Sequence, residues 1–191
     1  MTGWRVGWGI GPAHLIRPLI AAQNWTSFSV NRPAQVAIAE ALTKAAQIVD
    51  NKTFYCSMRE TFQQRKTLLF DVLKKAPFDW KLLNPEGGYF MIVDISNCMS
   101  QTPKKYFYKE GASEISEPVG DWLKLENPDY TPDYAFVRWL LFEYGVGAIP
   151  MFPFYEPSTT GLRNQKGTLF IRFTICKEEE TILAVSKKFT S

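Results

Sequence analysis

Apolar residues recur at every third or fourth position in two stretches of the chain. Ile38, Ala41, Leu42, Ala45 and Val49 follow Asn31 and Pro33. Asparagine caps free N–H groups and proline is tolerated in a first turn, so the spacing predicts an amphipathic helix over residues 33–50. A second helix is predicted over residues 53–75, with Met58, Phe62, Leu69, Val72 and Leu73 on its buried side and Pro77 ending it. Lys81–Leu83 and residues 89–95 then read as a strand pair around Asn84-Pro85-Glu86-Gly87-Gly88. In the clearest strand Leu169, Ile171, Phe173 and Ile175 point to one face, and Phe170, Arg172 and Thr174 point to the other.

The remaining segments follow from punctuation and charge. Residues 100–132 carry Pro103, Gly111, Pro118, Gly120, Pro128 and Pro132 and read as a long loop or insertion, with one helical turn near Trp122. Asp133 is expected to cap a helix bearing Phe136, Val137, Leu140, Leu141 and Tyr144. Gly145 stops it, and a short strand over 146–149 ends at Pro150. A second loop covers roughly 151–167. The last helix opens with Glu178-Glu179-Glu180 and closes with Lys187-Lys188, which suits the helix dipole at both ends. At the start, Trp4, Val6 and Trp8 alternate with Arg5 and Gly7 and read as a strand, as if the chain were cut from something longer. The expected order is strand, two helices, two strands, loop, helix, strand, loop, strand, helix. That is an α+β sandwich of helices on a small sheet.

Composition narrows the function. The chain has 191 residues, 46% hydrophobic, 21% charged and 15% aromatic, which is globular rather than disordered. Net charge is +3 and the basic residues are scattered, so no nucleic-acid footprint is expected. No apolar run is long enough for a spanning helix, and no membrane partner is expected. Three cysteines lie far apart, at 56, 98 and 176, and there is one histidine. That pattern argues against a disulfide framework and a metal site, and for a cytoplasmic or mitochondrial setting. Gly7-Trp8-Gly9-Ile10-Gly11 runs into Pro12 and does not have dinucleotide-loop spacing.

Two arginines carry the candidate chemistry. Arg172 sits mid-strand among apolar neighbours, where an unpaired charge costs several kcal/mol. It must meet an anion, either an internal carboxylate or a ligand, unless it is exposed at a sheet edge. A guanidinium grips a carboxylate through two parallel hydrogen bonds, so a substrate acid is a natural partner. Arg5 lies between Trp4 and Val6 with small glycines nearby; stacking on tryptophan or exposure are its alternatives. Phe28, Tyr89 and Phe90 could wall a pocket or fill a core. His14 reads as a loop residue and Cys176 as a small apolar filler. Glu178 to Glu180 read as helix-start charge, and Arg163 and Lys166 as solvated.

Five stretches taken together carry a resemblance. They are Thr2-Gly3-Trp4-Arg5-Val6-Gly7-Trp8; Ala34-Gln35-Val36-Ala37-Ile38-Ala39-Glu40; Pro85-Glu86-Gly87-Gly88-Tyr89-Phe90 running into Asp94-Ile95-Ser96; Gly147-Ala148-Ile149-Pro150 with Phe154-Tyr155; and Ile171-Arg172-Phe173 with Lys177-Glu178-Glu179-Glu180. In this order the chain resembles the C-terminal half of a fold-type I, pyridoxal-phosphate-dependent aminotransferase. The group nearest to it comprises kynurenine aminotransferase, glutamine transaminase K and cysteine-S-conjugate β-lyase.

The resemblance implies an α/β fold of the PLP-dependent transferase type. Residues 1–30 would be the end of the large cofactor-binding domain with its linker, and residues 31–191 the small C-terminal domain, with an insertion near 100–132. It implies pyridoxal 5'-phosphate as cofactor, an amino acid and a 2-oxo acid as substrates, and a homodimer. Arg5 falls where the family offers a cation to the cofactor phosphate, and Arg172 where it grips the substrate carboxylate. Phe28 falls where an aromatic is donated across the dimer interface, and Phe90 where the small domain lines the pocket. The family's Schiff-base lysine, counted back from Arg5, would precede Met1, so a chain ending there is expected to be inactive by itself. The alternative is an inactive small-domain fragment that binds carboxylates or a partner.

Overall fold

A computed structural model describes residues 2–49, 52–109, 118, 120–121, 125, 128–155 and 169–190. Two compact units divide between Glu60 and Thr61. The first opens with a 3₁₀ turn over Thr2–Trp4, not a strand. Arg5 takes φ 55°, in the left-handed region, and a strand cannot continue through that backbone. Helix α1 follows over Ala13–Thr26 with Pro18 inside it, and none of its residues is buried. The sequence reading passed over this helix: Leu15, Ile16, Leu19 and Ile20 recur at helical spacing, but Pro18 among them reads as a breaker. Helix α2 spans Arg32–Ala45, capped as expected by Asn31, which accepts from the Ala34 amide at 3.1 Å, but it stops short of the expected residue 50 and Val49 lies in a strand. Ile48–Val49 (β1) and Lys52–Thr53 (β2) form a short antiparallel hairpin that leads into α3, Phe54–Lys74.

In the second unit four antiparallel strands lie in the order β3-β4-β6-β5. They are Lys81–Leu83 (β3), Phe90–Asp94 (β4), Ile149–Pro150 (β5) and Phe170–Thr174 (β6). Burial alternates along β4 and β6 as period two requires. Met91, Val93, Ile171 and Phe173 join one core with Leu69, Val72 and Leu73 of α3. The same core takes Phe136 and Leu140 of α4 (Pro132–Tyr144) and Ile182 and Phe189 of α5 (Glu179–Thr190). Phe78 stands at its centre, edge-on to Phe136, Trp139, Tyr144 and Phe189 with ring centroids 5.3 to 5.7 Å away. The residues between them on the strands, Phe90, Ile92, Arg172 and Thr174, are half-buried on the opposite sheet face.

Three details differ from the sequence reading. Thr131, not Asp133, holds the N-cap position of α4, and Asp133 is fully buried. The strand expected over 146–149 is confined to Ile149–Pro150. The described part of residues 100–132 is stitched into the core, with Tyr106, Phe107 and Leu125 buried and the Asp129 and Tyr130 amides donating to the Phe107 carbonyl. The turn expected near Trp122 lies outside the described residues, as does most of the 151–167 loop with Arg163 and Lys166.

Candidate functional site

The antiparallel register sets Arg172 opposite Ile92 on one side and opposite Ile149 on the other. Phe90 is two residues from Ile92 and so shares the face of Arg172, at the diagonal cross-strand position that long side chains can reach. Its ring centroid is 4.1 Å from the guanidinium carbon, and that of Phe154 is 4.2 Å away. The cation is thus held between two rings, each attracting it electrostatically by about 0.5–2 kcal/mol depending on desolvation.

Among the described residues no carboxylate pairs with Arg172, and its Nε is buried without a hydrogen-bond partner. The internal ion pair, the main alternative to a ligand grip, is therefore not seen among the described residues. The two rings take its place in making a half-buried guanidinium tolerable. They also restrict its plane, which leaves its remaining N–H groups preorganised for a planar anion.

Phe154 reaches the guanidinium from a 3₁₀ turn, Phe152–Phe154, that follows β5. The Met151 amide donates to the Phe170 carbonyl at 3.1 Å, which extends the β5–β6 ladder by one bond. The Phe152 amide donates to Oδ2 of Asp133 at 2.7 Å. Oδ1 of Asp133 is buried with no partner. Burial pushes this carboxyl above the usual carboxylate range, with the Thr131 side chain and then the Phe152 amide pulling the other way.

Arg5 and Phe28 both lie in the first unit, whereas Arg172, Phe90 and Phe154 lie in the second. The described geometry brings Phe90 to Arg172 and gives Arg5 and Phe28 a different distinction. Among the described residues they are the two non-glycines with positive φ, 55° and 60°. Phe28 follows the C-terminal end of α1, where its amide bonds the Gln23 carbonyl at 3.0 Å, a place that glycine usually takes. Left-handed backbone costs an L residue about 1–2 kcal/mol, and strain of this kind clusters at functional sites. Both side chains are exposed.

The weaker candidates also find their places. The Tyr89 ring lies tilted against that of Phe90 with centroids 4.7 Å apart, and the Tyr89 carbonyl accepts from the Ile175 amide. His14 is in the first turn of α1 and exposed, not in a loop. Cys176 is exposed rather than packed. Glu178 does more than charge a helix start, since it meets Arg65 of α3 at 2.7 Å. The sequence reading did not single out Phe154 as a site residue or Asp133 as a buried one. An aromatic beside a proline in a loop and an acid near a helix start both have commoner roles. Among the described residues no group of three or more His, Cys, Asp or Glu could hold a metal ion.

Comparison with known proteins returns one family. Residues 1–187 match the family described as aminotransferase class I and II. The chain is 29% identical over 182 residues to kynurenine–oxoglutarate transaminase of Dictyostelium discoideum, covering 95% of this chain and 36% of that protein. It is 26% identical over 188 residues to kynurenine–oxoglutarate transaminase 3 of Bos taurus, covering 98% and 36%. The solved methionine aminotransferase YbdL of Escherichia coli superposes with a TM-score of 0.58 at 26% identity, covering 99% of this chain and 38% of that one. The chain thus spans little more than a third of the length of the curated relatives it matches.

Proposed function

The chain belongs to the aminotransferase class I and II family, and we propose that it supplies the substrate-carboxylate grip of an enzyme that moves an amino group between an L-amino acid and a 2-oxo acid. One observation carries the reading: a half-buried guanidinium, unpaired by any described carboxylate, is held between the rings of Phe90 and Phe154. In this role Arg172 receives the α-carboxylate in two charge-assisted hydrogen bonds, and the rings keep water from its faces. Amino acid and oxo acid share that carboxylate, so one grip serves both halves of the reaction. Kynurenine, glutamine or aromatic amino acids are the proposed donors, in line with the relatives' names.

The residues present suit a phosphate-bearing cofactor. Arg5 is an exposed guanidinium with no described carboxylate partner, on a backbone held in a strained conformation. It is the residue proposed to hold the phosphate of pyridoxal 5'-phosphate, which when bound supplies the electron sink for amino-group transfer. Phe28 is proposed to present its ring to substrate across a homodimer interface. Residues 1–30 are proposed to end the large cofactor-binding domain, and residues 31–191 to form the small domain.

The test is calorimetric titration of the chain with 2-oxoglutarate. Arg172→Ala is expected to weaken binding by more than about 100-fold, since two bonds to a charged group contribute roughly 1.5–3 kcal/mol each. Equal affinity in the variant would refute the reading. Binding by the wild type without transaminase activity in the cofactor-loaded protein would favour a carboxylate-binding module instead.

A further inference from the structure

Asp133 has no role in the reading above, yet it is a buried acid near the site. It is fully buried; among the described residues one oxygen has no hydrogen-bond partner and the other accepts the Phe152 amide, while the Thr131 side chain and the Tyr134 amide also favour its charged form. A buried acceptor left unmade costs about 1–3 kcal/mol, so an acid retained here calls for a geometric reason. The bond to a separate element supplies that reason. The amide it holds is that of Phe152, the first residue of the turn carrying Phe154. Two residues on, the Phe154 ring lies 4.2 Å from the Arg172 guanidinium. Asp133 itself is fixed in the first turn of α4, whose Ala135, Phe136 and Leu140 are fully buried, so the carboxylate is referenced to the rigid core.

We propose that Asp133 is a positioning residue: it latches the turn after β5 to the start of α4, and so sets the Phe154 ring against Arg172 and the orientation of the carboxylate grip. The proposal rests on Arg172 being that grip. Without the latch the turn keeps its Met151–Phe170 ladder bond but loses the bond that fixes Phe152. Phe154 would then sample positions off the guanidinium, and the site would bind its anion with a less ordered cation.

The experiment is NMR of the ¹⁵N-labelled 191-residue chain, reading the Arg172 side-chain Nε–H resonance, which the two rings displace by ring current. Asp133→Asn keeps an oxygen acceptor for the Phe152 amide and is expected to keep the displaced resonance. Asp133→Leu and Phe154→Leu are expected to move it toward the position of an unstacked arginine by similar amounts. Both leucine variants should weaken 2-oxoglutarate binding about fivefold, the size of one cation–ring contact, with Asp133→Asn within twofold of wild type. A folded Asp133→Leu chain with the wild-type Arg172 resonance overturns the proposal, as does loss of the displacement in Asp133→Asn. If Asp133→Leu does not fold, amide exchange at Phe152 in the wild type decides. Protection supports the latch, and exchange at the rate of a free peptide overturns it. A displaced Arg172 resonance in a wild-type chain that fails to bind 2-oxoglutarate refutes the carboxylate grip and leaves the latch standing.

Discussion

A carboxyl whose burial outweighs its hydrogen bonds ties folding to pH. The ordinary value for Asp133 is 3.8, and burial raises it in the fold. The folded chain therefore holds this proton more tightly than the unfolded chain does. The resulting stabilisation is full below the unfolded value and lost as pH rises through the folded one. Urea midpoints measured from pH 3 to 7 are expected to show this decline superimposed on other groups, and Asp133→Asn to remove its share. The thiols differ in the same way. Thr53 and Arg59 bond the Cys56 sulfur and lower its pKa, while burial pushes Cys98 up to about 12. Iodoacetamide at pH 8 is expected to label Cys56 in the native chain and to leave Cys98 unmodified until urea is added, as read by peptide mass spectrometry. At this scale legibility was uneven. Arg172 declared itself by being a charge at an apolar strand position. Asp133 looked like a cap because sequence spacing cannot distinguish the N-cap from the position two residues on. Nothing in the sequence of Arg5 or Phe28 betrays a left-handed backbone.

Elements bounded by clear start and stop residues were legible, and the one with a proline inside it was not. The β3–β4 pair, α3 and α4 stand within about two residues of where periodicity and punctuation placed them, because each buries one face in a shared core. Helix α1 does carry a helical period in Leu15, Ile16, Leu19 and Ile20, but it buries none of them and Pro18 interrupts the run, so the segment reads as a break. Gly145 shows how local a stop signal is. It sits at φ 64° after α4, with its amide bonded to the Leu141 carbonyl at 3.0 Å, and a Cβ there would meet the Lys188 side chain at an ordinary 3.9 Å. The cost of Gly145→Ala is therefore backbone strain rather than clash, about 1 kcal/mol. Urea unfolding is expected to show a midpoint lowered accordingly with an unchanged m value. A fall of several kcal/mol would mean that the α4 terminus does more than end a helix.

Burial is distributed very unequally between the two units. Ala34 and Ile38 are the buried hydrophobics described before Glu60, whereas the unit from Thr61 contains the whole continuous core. Local opening free energy follows buried apolar contact, so the units should differ in dynamics as well as in packing. Helix α1 is the sharpest case: 14 residues, a proline at its sixth position, and Trp25 at 91% exposure. A helix of that length is marginal in water without a packed face. Hydrogen exchange followed by mass spectrometry in dilute solution is expected to show α1 amides exchanging within seconds. The β4 and β6 amides should be protected to the free energy of global unfolding. Protection of α1 equal to that of β4 would mean that its exposed apolar residues are covered in solution. A second copy of the chain would then be the cover to look for, and the protection should fall on dilution. That outcome would turn the homodimer from a proposal into a measured property, with Phe28, two residues beyond the end of α1, close to the covered surface.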